Sequence, residues 1–360
     1  MLQLHSISLF QFKNYTNQAF DFSHRIVGIC GNNGVGKTNL LDAIHYLCFT
    51  KSYFTRADAG STQQGRNGFR IEGNFSLQAK PEKAVCILRE TGKKEFLVND
   101  QSYDKFSQHI GHYPCVVIAP DDATLITGSS EERRKFLDSM LSQLDETYLQ
   151  NLITYTKVLQ QRNSLLKAFA ESGNRNWALL DVLDQQLIKP GERIFNKRKD
   201  FLISFLPAVK HLYLDIARQQ EDISLFYESE LLEAGFEDLL TTTRQKDCFA
   251  QRTTTGIHRD NIEINLGTQP FRTIASQGQR KSLLFALKLA EMEVLQKEKG
   301  FPPLLLLDDV FEKLDEDRIG NLLQRVCAEN EGQVFITDTN QERLRNNLNA
   351  LSVNYQLIEL

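Results

Sequence analysis

The sequence predicts an α/β fold: a P-loop core sheet with a flanking antiparallel β-subdomain, interrupted by an inserted, mainly helical lobe. Three observations in the 360 residues lead to this fold class. An apolar run at 25–30 enters a glycine-rich loop that opens into a helical pattern, as a buried parallel strand and its following helix do. Short strand-like runs separated by turn residues fill 68–118, and helical periodicity extends over about 131–220.

The glycine-rich loop at 31–38 fits the P-loop pattern G-x-x-x-x-G-K-[ST] at every fixed position. Its backbone N–H groups, at the positive end of a helix dipole, would face polyphosphate oxygens. Lys37 would bridge the β- and γ-phosphates, and the Thr38 hydroxyl would hold Mg²⁺. The alternative is a glycine-rich turn before an ordinary helix, but the strand and helix on its two sides favour nucleotide binding. The expected nucleotide-binding residues here are Gly31, Asn32, Asn33, Gly34, Val35, Gly36, Lys37 and Thr38.

The segments around the P-loop differ in character. Imperfect alternation of apolar and polar residues over 2–10, followed by 12–15 and then by Phe20 and Phe22, predicts an opening hairpin. Small polar residues at 51–65 predict a surface loop. The strand-like runs of 68–118, the last being Cys115–Ile118, predict a small antiparallel sheet beside the P-loop. The character changes at Pro120-Asp121-Asp122, where a separate helical lobe begins.

The helical lobe carries two basic clusters, at 133–135 and 197–199. Such charge runs are most often solvated helix faces, and a nucleic-acid contact is the alternative. The candidate DNA-binding residues are Arg133, Arg134, Lys197, Arg198 and Lys199.

The chain then returns to the first lobe after an acidic stretch at 221–247, with a strand-like run at 262–266. Four leucines at 304–307 lead directly into Asp308 and Asp309, as a buried strand ending in two carboxylates does. Asp308 could hold the water shell of a metal ion beside the P-loop threonine. An acidic turn after an apolar strand is the alternative, and an upstream P-loop makes it the weaker one.

Composition limits the function only loosely. The formal net charge is −4 and the isoelectric point is near 6.0, so no overall basic excess indicates nucleic-acid binding, and a local basic surface would be needed. The six cysteines show no metal-ligand spacing, which favours reduced core residues. Without a signal-peptide pattern or a long apolar run, we expect a soluble cytoplasmic protein with no membrane association.

Several segments together resemble the ABC/SMC-type ATPases, and within them a family of bacterial recombination mediators, over the whole length. The order of these segments, and the absence of a long heptad coiled coil between the two halves, favour that family over SMC proteins proper. The segments are Phe12-Lys13-Asn14-Tyr15, Gly31 through Asn39, 120–138, Thr255-Gly256 with His258-Arg259-Asp260, Ser276 through Arg280, and Leu304 through Asp309 with Leu314-Asp315.

The resemblance implies a discontinuous ATPase head, 1–122 and 240–360, and a helical lobe at 123–239 that is a shortened SMC-like arm. Two heads would pair face to face with ATP and Mg²⁺ between them. The signature segment of one copy would meet the γ-phosphate bound to Lys37 of the other copy, although Ser276 could equally be an ordinary N-cap. The further residues that the resemblance assigns are Lys13, Asn14 and Asn39 for ATP binding, Ser276, Gln277, Gly278 and Gln279 for the signature, and Leu314 and Asp315 for the D-loop.

The resemblance also assigns catalysis to Lys37, Asp308 and Asp309, with two departures from the family pattern. ABC ATPases usually carry Glu where this chain has Asp309, a shorter base, so we expect slow hydrolysis used as a dimerisation switch. No histidine follows the apolar run 334–336, where many ABC proteins sense the γ-phosphate, and the linking Gln is not evident near Pro120.

The biological role implied by the resemblance is ATP-dependent binding of duplex DNA and of junctions between single- and double-stranded DNA in recombinational repair and replication restart. The expected partners are RecR, with RecO and RecA in the same pathway, and a second copy of the chain. Nucleoid association would follow from DNA binding. The alternatives are a chromosome-organising ABC/SMC subunit, which would need a long coil, and a P-loop phosphotransferase, which would lack the signature segment.

Overall fold

The computed structural model describes residues 1–173, 175–217, 221–311 and 316–360, and for 316–318 it describes the backbone only. The contacts divide the chain into two compact units. The first unit comprises 1–122 and 285–360, and the second comprises 123–284.

The strands of the first unit are β1 (Leu2–Phe12), β2 (Tyr15–Asp21), β3 (Ile26–Cys30), β4 (Phe69–Leu77), β5 (Lys80–Leu88), β6 (Lys94–Val98), β7 (Gln101–Ser102), β8 (Cys115–Ile118), β12 (Leu304–Leu307), β13 (Val334–Asp338) and β14 (Tyr355–Glu359); those of the second unit are β9 (Ile223–Glu228), β10 (Asn261–Leu266) and β11 (Gln269–Pro270). The helices are α1 (Lys37–Phe49), α2 (Ala123–Thr127), α3 (Ser130–Leu144), α4 (Glu146–Ser172), α5 (Trp177–Ala217), α6 (Phe236–Ala250), α7 (Phe271–Ile274), α8 (Gln277–Lys299), α9 (Glu316–Leu323) and α10 (Gln341–Ala350).

A parallel sheet with strand order β14-β3-β13-β12-β8 forms one layer of the first unit. The strand that leads into the P-loop, β3, and the strand that leads into Asp308, β12, are therefore not neighbours. Strand β13 lies between them and pairs with both. Because the strands are parallel, their carboxyl ends meet at one edge of the sheet, which is where ligands bind in open α/β sheets.

Helix α1 is buried along almost its whole length, which fixes the P-loop at its start. Leu40, Leu41, Ile44 and Leu47 on this helix are fully enclosed. Each such side chain contributes about 2 kcal/mol of burial free energy, so the helix is held by packing rather than by helix propensity.

The second sheet of the first unit is antiparallel, in the order β2-β1-β4-β5-β6-β7. It contains the expected opening hairpin, β1 and β2. One expectation was wrong: Cys115–Ile118 does not belong to this sheet, since β8 pairs in parallel with β12. All four of its side chains are buried, and a short strand that is apolar on both faces is typical of a parallel sheet that is covered on both faces.

The second unit combines helices α2–α7 with a three-stranded antiparallel sheet, in the order β11-β10-β9. The run at 262–266, which we expected in the first lobe, forms β10 and pairs along its length with β9. Residues 240–284 group with the second unit, in which this ladder ties 261–266 to 223–228. Among the described helices, none is both long and apolar enough to cross a membrane.

Candidate nucleotide-binding site

The P-loop connects β3 to α1 through a backbone that glycine permits. Gly34 and Gly36 have φ angles of +85° and +120°, in the region that side chains rarely adopt. A Cβ added to Gly36 would lie 2.6 Å from Asn14 Nδ2 and 2.8 Å from the Tyr15 hydroxyl. The loop therefore needs glycine here for its own turn and for the close approach of the β1–β2 turn.

The β1–β2 turn holds the loop by side-chain hydrogen bonds. Asn14 Nδ2 donates to the Val35 carbonyl at 2.8 Å, and Asn39 Nδ2 donates to Asn14 Oδ1 at 2.7 Å. The Tyr15 hydroxyl donates to the Gly36 carbonyl at 3.0 Å. Asn14 and Asn39 thus lie against the loop, where they set its shape.

The side chain of Lys37, the first residue of α1, folds back over the P-loop. Its ammonium donates to the carbonyls of Gly31 and Asn32 at 2.8 and 3.0 Å, and the residue is only 4% exposed. An ammonium group has three donors, so one remains for a phosphate oxygen after these two bonds.

Thr38 and Asp308 meet at the carboxyl edge of the parallel sheet. The Thr38 hydroxyl lies 3.0 and 2.9 Å from the two carboxylate oxygens of Asp308, which is 4% exposed. Burial raises the pKa of Asp308, whereas the hydrogen bonds from Thr337 and Thr38 lower it. A hydroxyl and a carboxylate so arranged are oxygen ligands of the kind Mg²⁺ takes, directly or through water. A bound cation would favour the ionised form of Asp308.

Thr337 joins the two acidic residues, Asp308 and Asp309. Its role in the site was not predicted from the sequence. Its buried hydroxyl donates to Asp308 Oδ1 at 2.8 Å and accepts from the Asp309 N–H at 2.9 Å. The half-buried Asp309 has a φ angle of +44°, uncommon for a residue other than glycine. The only sequence signal for Thr337 is its place directly after an apolar run, like that of Asp308.

Asp338 is the last residue of β13, in the segment after 334–336 where the family resemblance points to a sensing histidine. Its carboxylate is 1% exposed and accepts from Arg343 Nε at 2.9 Å and Nη2 at 2.5 Å. The end of β13 therefore carries a buried acid that is paired with an arginine.

Lys13 forms an ion pair with Asp42 on α1. Its ammonium lies 2.6 Å from Asp42 Oδ2, and the other Asp42 oxygen accepts from the Tyr53 N–H at 2.7 Å. The ion pair is largely buried, so it fixes the β1–β2 turn next to the P-loop. A direct contact of Lys13 with nucleotide stays a prediction.

The signature segment lies in the second unit, at the start of α8. The Ser276 hydroxyl accepts from the Gln279 N–H at 3.2 Å, and Gln279 Oε1 accepts from the Ser276 N–H at 2.8 Å, which is a capping box. Ser276 and Gln277 are exposed, and Gly278 is half-buried. Ser276 is thus an N-cap, while its role opposite a partner's nucleotide stays a prediction. The expected D-loop residues Leu314 and Asp315 lie outside the described residues.

Arg198 is not placed to contact DNA in this conformation, contrary to the expectation for its cluster. It is 1% exposed and donates to Asp138, to Asp260 and to the Ile257 carbonyl at 2.7 to 2.8 Å. It falls on the buried stripe of α5 at helical spacing, and that spacing is the sequence signal that could have identified it. The buried stripe around it is Gly191, Ile194, Phe195, Arg198, Leu202 and Phe205.

Burial also affects the first basic cluster. Arg133 is 7% exposed and donates from Nε to Asn261 at 3.0 Å, and the half-buried Arg134 donates to the Asp260 carbonyl at 2.5 Å. Lys197 and Lys199 are exposed, with Lys197 2.9 Å from Asp145. Of the five candidates, these two lysines are the ones that present their charges to solvent.

Comparison with known proteins decides the family. A sequence profile described as the RecF/RecN/SMC N terminal domain matches residues 3–357. The DNA replication and repair protein RecF of Flavobacterium johnsoniae is 42% identical over 359 residues, covering 100% of both chains. The chain belongs to the RecF family. RecF of Parabacteroides distasonis is 40% identical, with 99% of this chain and 97% of that one covered.

Solved structures confirm the expected fold class. A structure of the recombination mediator protein RecF with ATP, from the RecFOR pathway, is similar with a TM-score of 0.87 at 29% identity, covering 94% of this chain and 92% of that one. An Smc head from Pyrococcus furiosus is similar at 16% identity with a TM-score of 0.52, covering 96% and 92%, which shows the fold alone. This chain thus has the α/β head fold that RecF and SMC proteins share.

Proposed function

We propose that this RecF-family chain is an ATP-dependent DNA-binding protein of recombinational repair and replication restart, in which ATP pairs two copies head to head. The observation that carries the proposal is the convergence of Lys37, Thr38 and Asp308 at the carboxyl edge of the parallel sheet, with Thr38 and Asp308 in hydrogen-bond contact. The relative of known structure that is named with ATP supports ATP as the nucleotide.

The residues present fit ATP and Mg²⁺. The P-loop offers backbone N–H groups at the start of α1 and one ammonium, which suit polyphosphate oxygens. Thr38 and Asp308 would hold Mg²⁺, which when bound neutralises phosphate charge. The buried Asp308 carboxylate, whose pKa burial raises, is the kind of group that a cation would stabilise in its ionised form.

Asp309 would act as the base that orients and deprotonates water, and Thr337 would hold its backbone N–H. An aspartate is one methylene shorter than the usual glutamate, so its reach to water is less favourable and hydrolysis would be slow. A slow ATPase with a tight nucleotide site suits a dimerisation switch, because the ATP-bound form then persists.

Pairing would place the signature segment of one copy at the nucleotide of the other. Ser276, Gln277, Gly278 and Gln279 lie at the N-terminus of α8, where backbone N–H groups favour an anion. Leu314 and Asp315 would line the same interface as the D-loop.

DNA binding would follow from pairing, since a single chain carries a formal net charge of −4 and would attract a duplex only weakly. Two heads would bring two sets of exposed lysines, including Lys197 and Lys199, to one duplex or to a junction of single and double strands. RecR would be the direct partner, with RecO and RecA in the same pathway, as the RecFOR pathway of the structural relative suggests. Such a protein would act in the cytoplasm at the nucleoid.

Sedimentation of the whole chain with ATP, with ADP and without nucleotide tests the proposal. We expect dimers with ATP only, and we expect Lys37→Met to remain monomeric because the charge-assisted bond to the phosphates is lost. Lys93→Met is the matched control, since Lys93 is 73% exposed in a surface ion pair far along the chain. Unchanged nucleotide affinity in Lys37→Met would refute the P-loop assignment. Equal duplex affinity in all three nucleotide states would refute the proposal that ATP-dependent pairing tightens DNA binding.

A further inference from the structure

Asp309 has a backbone conformation that needs support from its surroundings. With φ at +44°, it lies in the left-handed region, which a residue with a side chain enters at a cost in free energy. Such a conformation persists only where neighbouring groups hold it. The described structure supplies such groups on both sides of Asp309.

On the amino-terminal side, β13 holds the peptide N–H. The Asp309 N–H donates to the Thr337 hydroxyl at 2.9 Å, and that hydroxyl donates in turn to Asp308 at 2.8 Å. Thr337 therefore has both its donor and an acceptor lone pair committed, which fixes its rotamer and the position of the Asp309 nitrogen.

On the carboxyl-terminal side, Arg343 holds the segment two residues further along. Its guanidinium carbon lies 5.8 Å from the centre of the Phe311 ring, within the range of a cation–π contact. The same guanidinium makes the two-bond pair with the buried Asp338 carboxylate, the residue after Thr337. Asp338 is itself anchored, because its Oδ1 also accepts from the Asn340 N–H at 3.0 Å.

We propose that Arg343 is a positioning residue for ATP hydrolysis: bonded to Asp338 and in cation–π contact with Phe311, it holds Asp309 in the orientation that a base needs. This inference rests on the proposed function, because it takes Asp309 as the base that deprotonates water. Arg343 does not touch the reacting atoms in this account. It joins the end of β13 to the segment after β12, so that Asp309 is held between two fixed points.

The chemistry of the pair suits positioning better than sensing. A guanidinium keeps its charge at all physiological pH values, unlike the imidazole that many ABC proteins carry after this strand. Its planar fork matches a carboxylate while its face remains available for an aromatic ring. Without Arg343, the backbone of Asp309 could relax towards an ordinary conformation and move its carboxylate, and a displacement of about 1 Å costs up to about a hundredfold in rate.

The test separates binding from chemistry. ATP affinity is measured by titration with a fluorescent ATP analogue and competition by ATP, and hydrolysis by single turnover with protein in excess. For Arg343→Ala we expect ATP affinity within about twofold of the unaltered protein and a hydrolysis rate lower by about tenfold. Arg345→Ala is the matched control, since Arg345 is an exposed arginine on the same helix, α10. It is expected to change neither quantity.

Phe311 provides a second, independent test, which remains decisive if Arg343→Ala does not fold. Phe311→Leu removes the ring and is expected to reproduce the rate loss, whereas Phe311→Trp keeps an aromatic face and is expected to restore the rate. The double variant, Arg343→Ala with Phe311→Leu, is expected to hydrolyse ATP no more slowly than Arg343→Ala alone, because both substitutions remove the same contact.

The outcomes distinguish this inference from the proposed function. If the unaltered protein binds and hydrolyses ATP but Arg343→Ala and Phe311→Leu hydrolyse it at the original rate, the positioning role is wrong and the proposed function stands. A fall in ATP affinity equal to the fall in rate would also overturn it, because Arg343 would then act on binding. If the unaltered protein binds no ATP, the proposed function itself fails, and the inference with it.

Discussion

Replacing Arg198 by Met is expected to unfold or strongly destabilise the second unit rather than to weaken DNA binding. The guanidinium donates to the carboxylates of Asp138 and Asp260, each at 2.7 Å, and its Nε lies 3.0 Å from the Tyr148 hydroxyl. Asp260 is 2% exposed, so it would be left in the interior without its cation. Methionine has a similar length, so the change removes the charge and the hydrogen bonds more than the volume.

The magnitude follows from the burial of the network. Removing one partner of a buried ion pair costs about 3–5 kcal/mol, because the remaining charge stays desolvated and unpaired. The neighbouring Lys197, in an exposed ion pair with Asp145, is expected to cost at most about 1 kcal/mol when changed to Met. The two substitutions are adjacent in sequence and alike in chemistry, so their difference isolates burial.

Urea unfolding followed by tryptophan fluorescence measures both effects. The chain has a single tryptophan, Trp177, and it lies at the start of α5, the helix that carries Arg198. A loss within about 1 kcal/mol of that for Lys197→Met would refute the reasoning, since Arg198 would then not support the fold. Retained stability together with weakened DNA binding would show that Arg198 contacts DNA.

The loss is also expected to depend on pH. Burial raises the pKa of Asp260, and Arg198 lowers it, so the variant removes the group that keeps the carboxylate ionised. Folded Arg198→Met would then take up a proton at Asp260 more readily than the unfolded chain does. Stability linked to such a raised pKa is present at low pH and is lost as the pH rises through the folded-state pKa. The variant is therefore expected to lose less stability at pH 5 than at pH 8, and a loss that is smaller at pH 8 would contradict this.

Three further changes test the functional residues. Asp309→Asn is expected to retain ATP binding and accumulate the dimer while single-turnover hydrolysis falls, and an unchanged rate would show that the base lies elsewhere. Ser276→Arg is expected to leave ATP binding by the monomer intact but to block pairing, with Ser276→Asn as the control that keeps an N-cap acceptor; normal ATP-induced dimers would remove Ser276 from the interface. Changing Lys197 and Lys199 together to Glu is expected to weaken duplex binding for all base sequences and to flatten its salt dependence, and an unchanged salt titration would identify both as solvated lysines.

Local pattern was sufficient to predict the strand and the helix on the two sides of the P-loop and the strand that leads into Asp308. Each is a short motif attached to its own strand, so the residues that define it are close along the chain. The expected α/β class followed from the same runs, because strand–loop–helix units imply a parallel sheet. The apolar run at 115–118 was assigned to the wrong sheet, since an isolated short run does not tell which strands it will pair with.

Sequence alone determined which chemical groups this protein carries at the ends of its strands, and tertiary structure decided which of them meet. Strand order puts β13 between β3 and β12, and only that order brings Thr337 to Asp308 and Asp309. Likewise, one triplet of basic residues divides into buried Arg198 and its exposed neighbours, because successive residues on a helix point about 100° apart and packing chooses the inward face. Strand pairing and the direction of burial are long-range properties, set by segments that the local sequence does not contain.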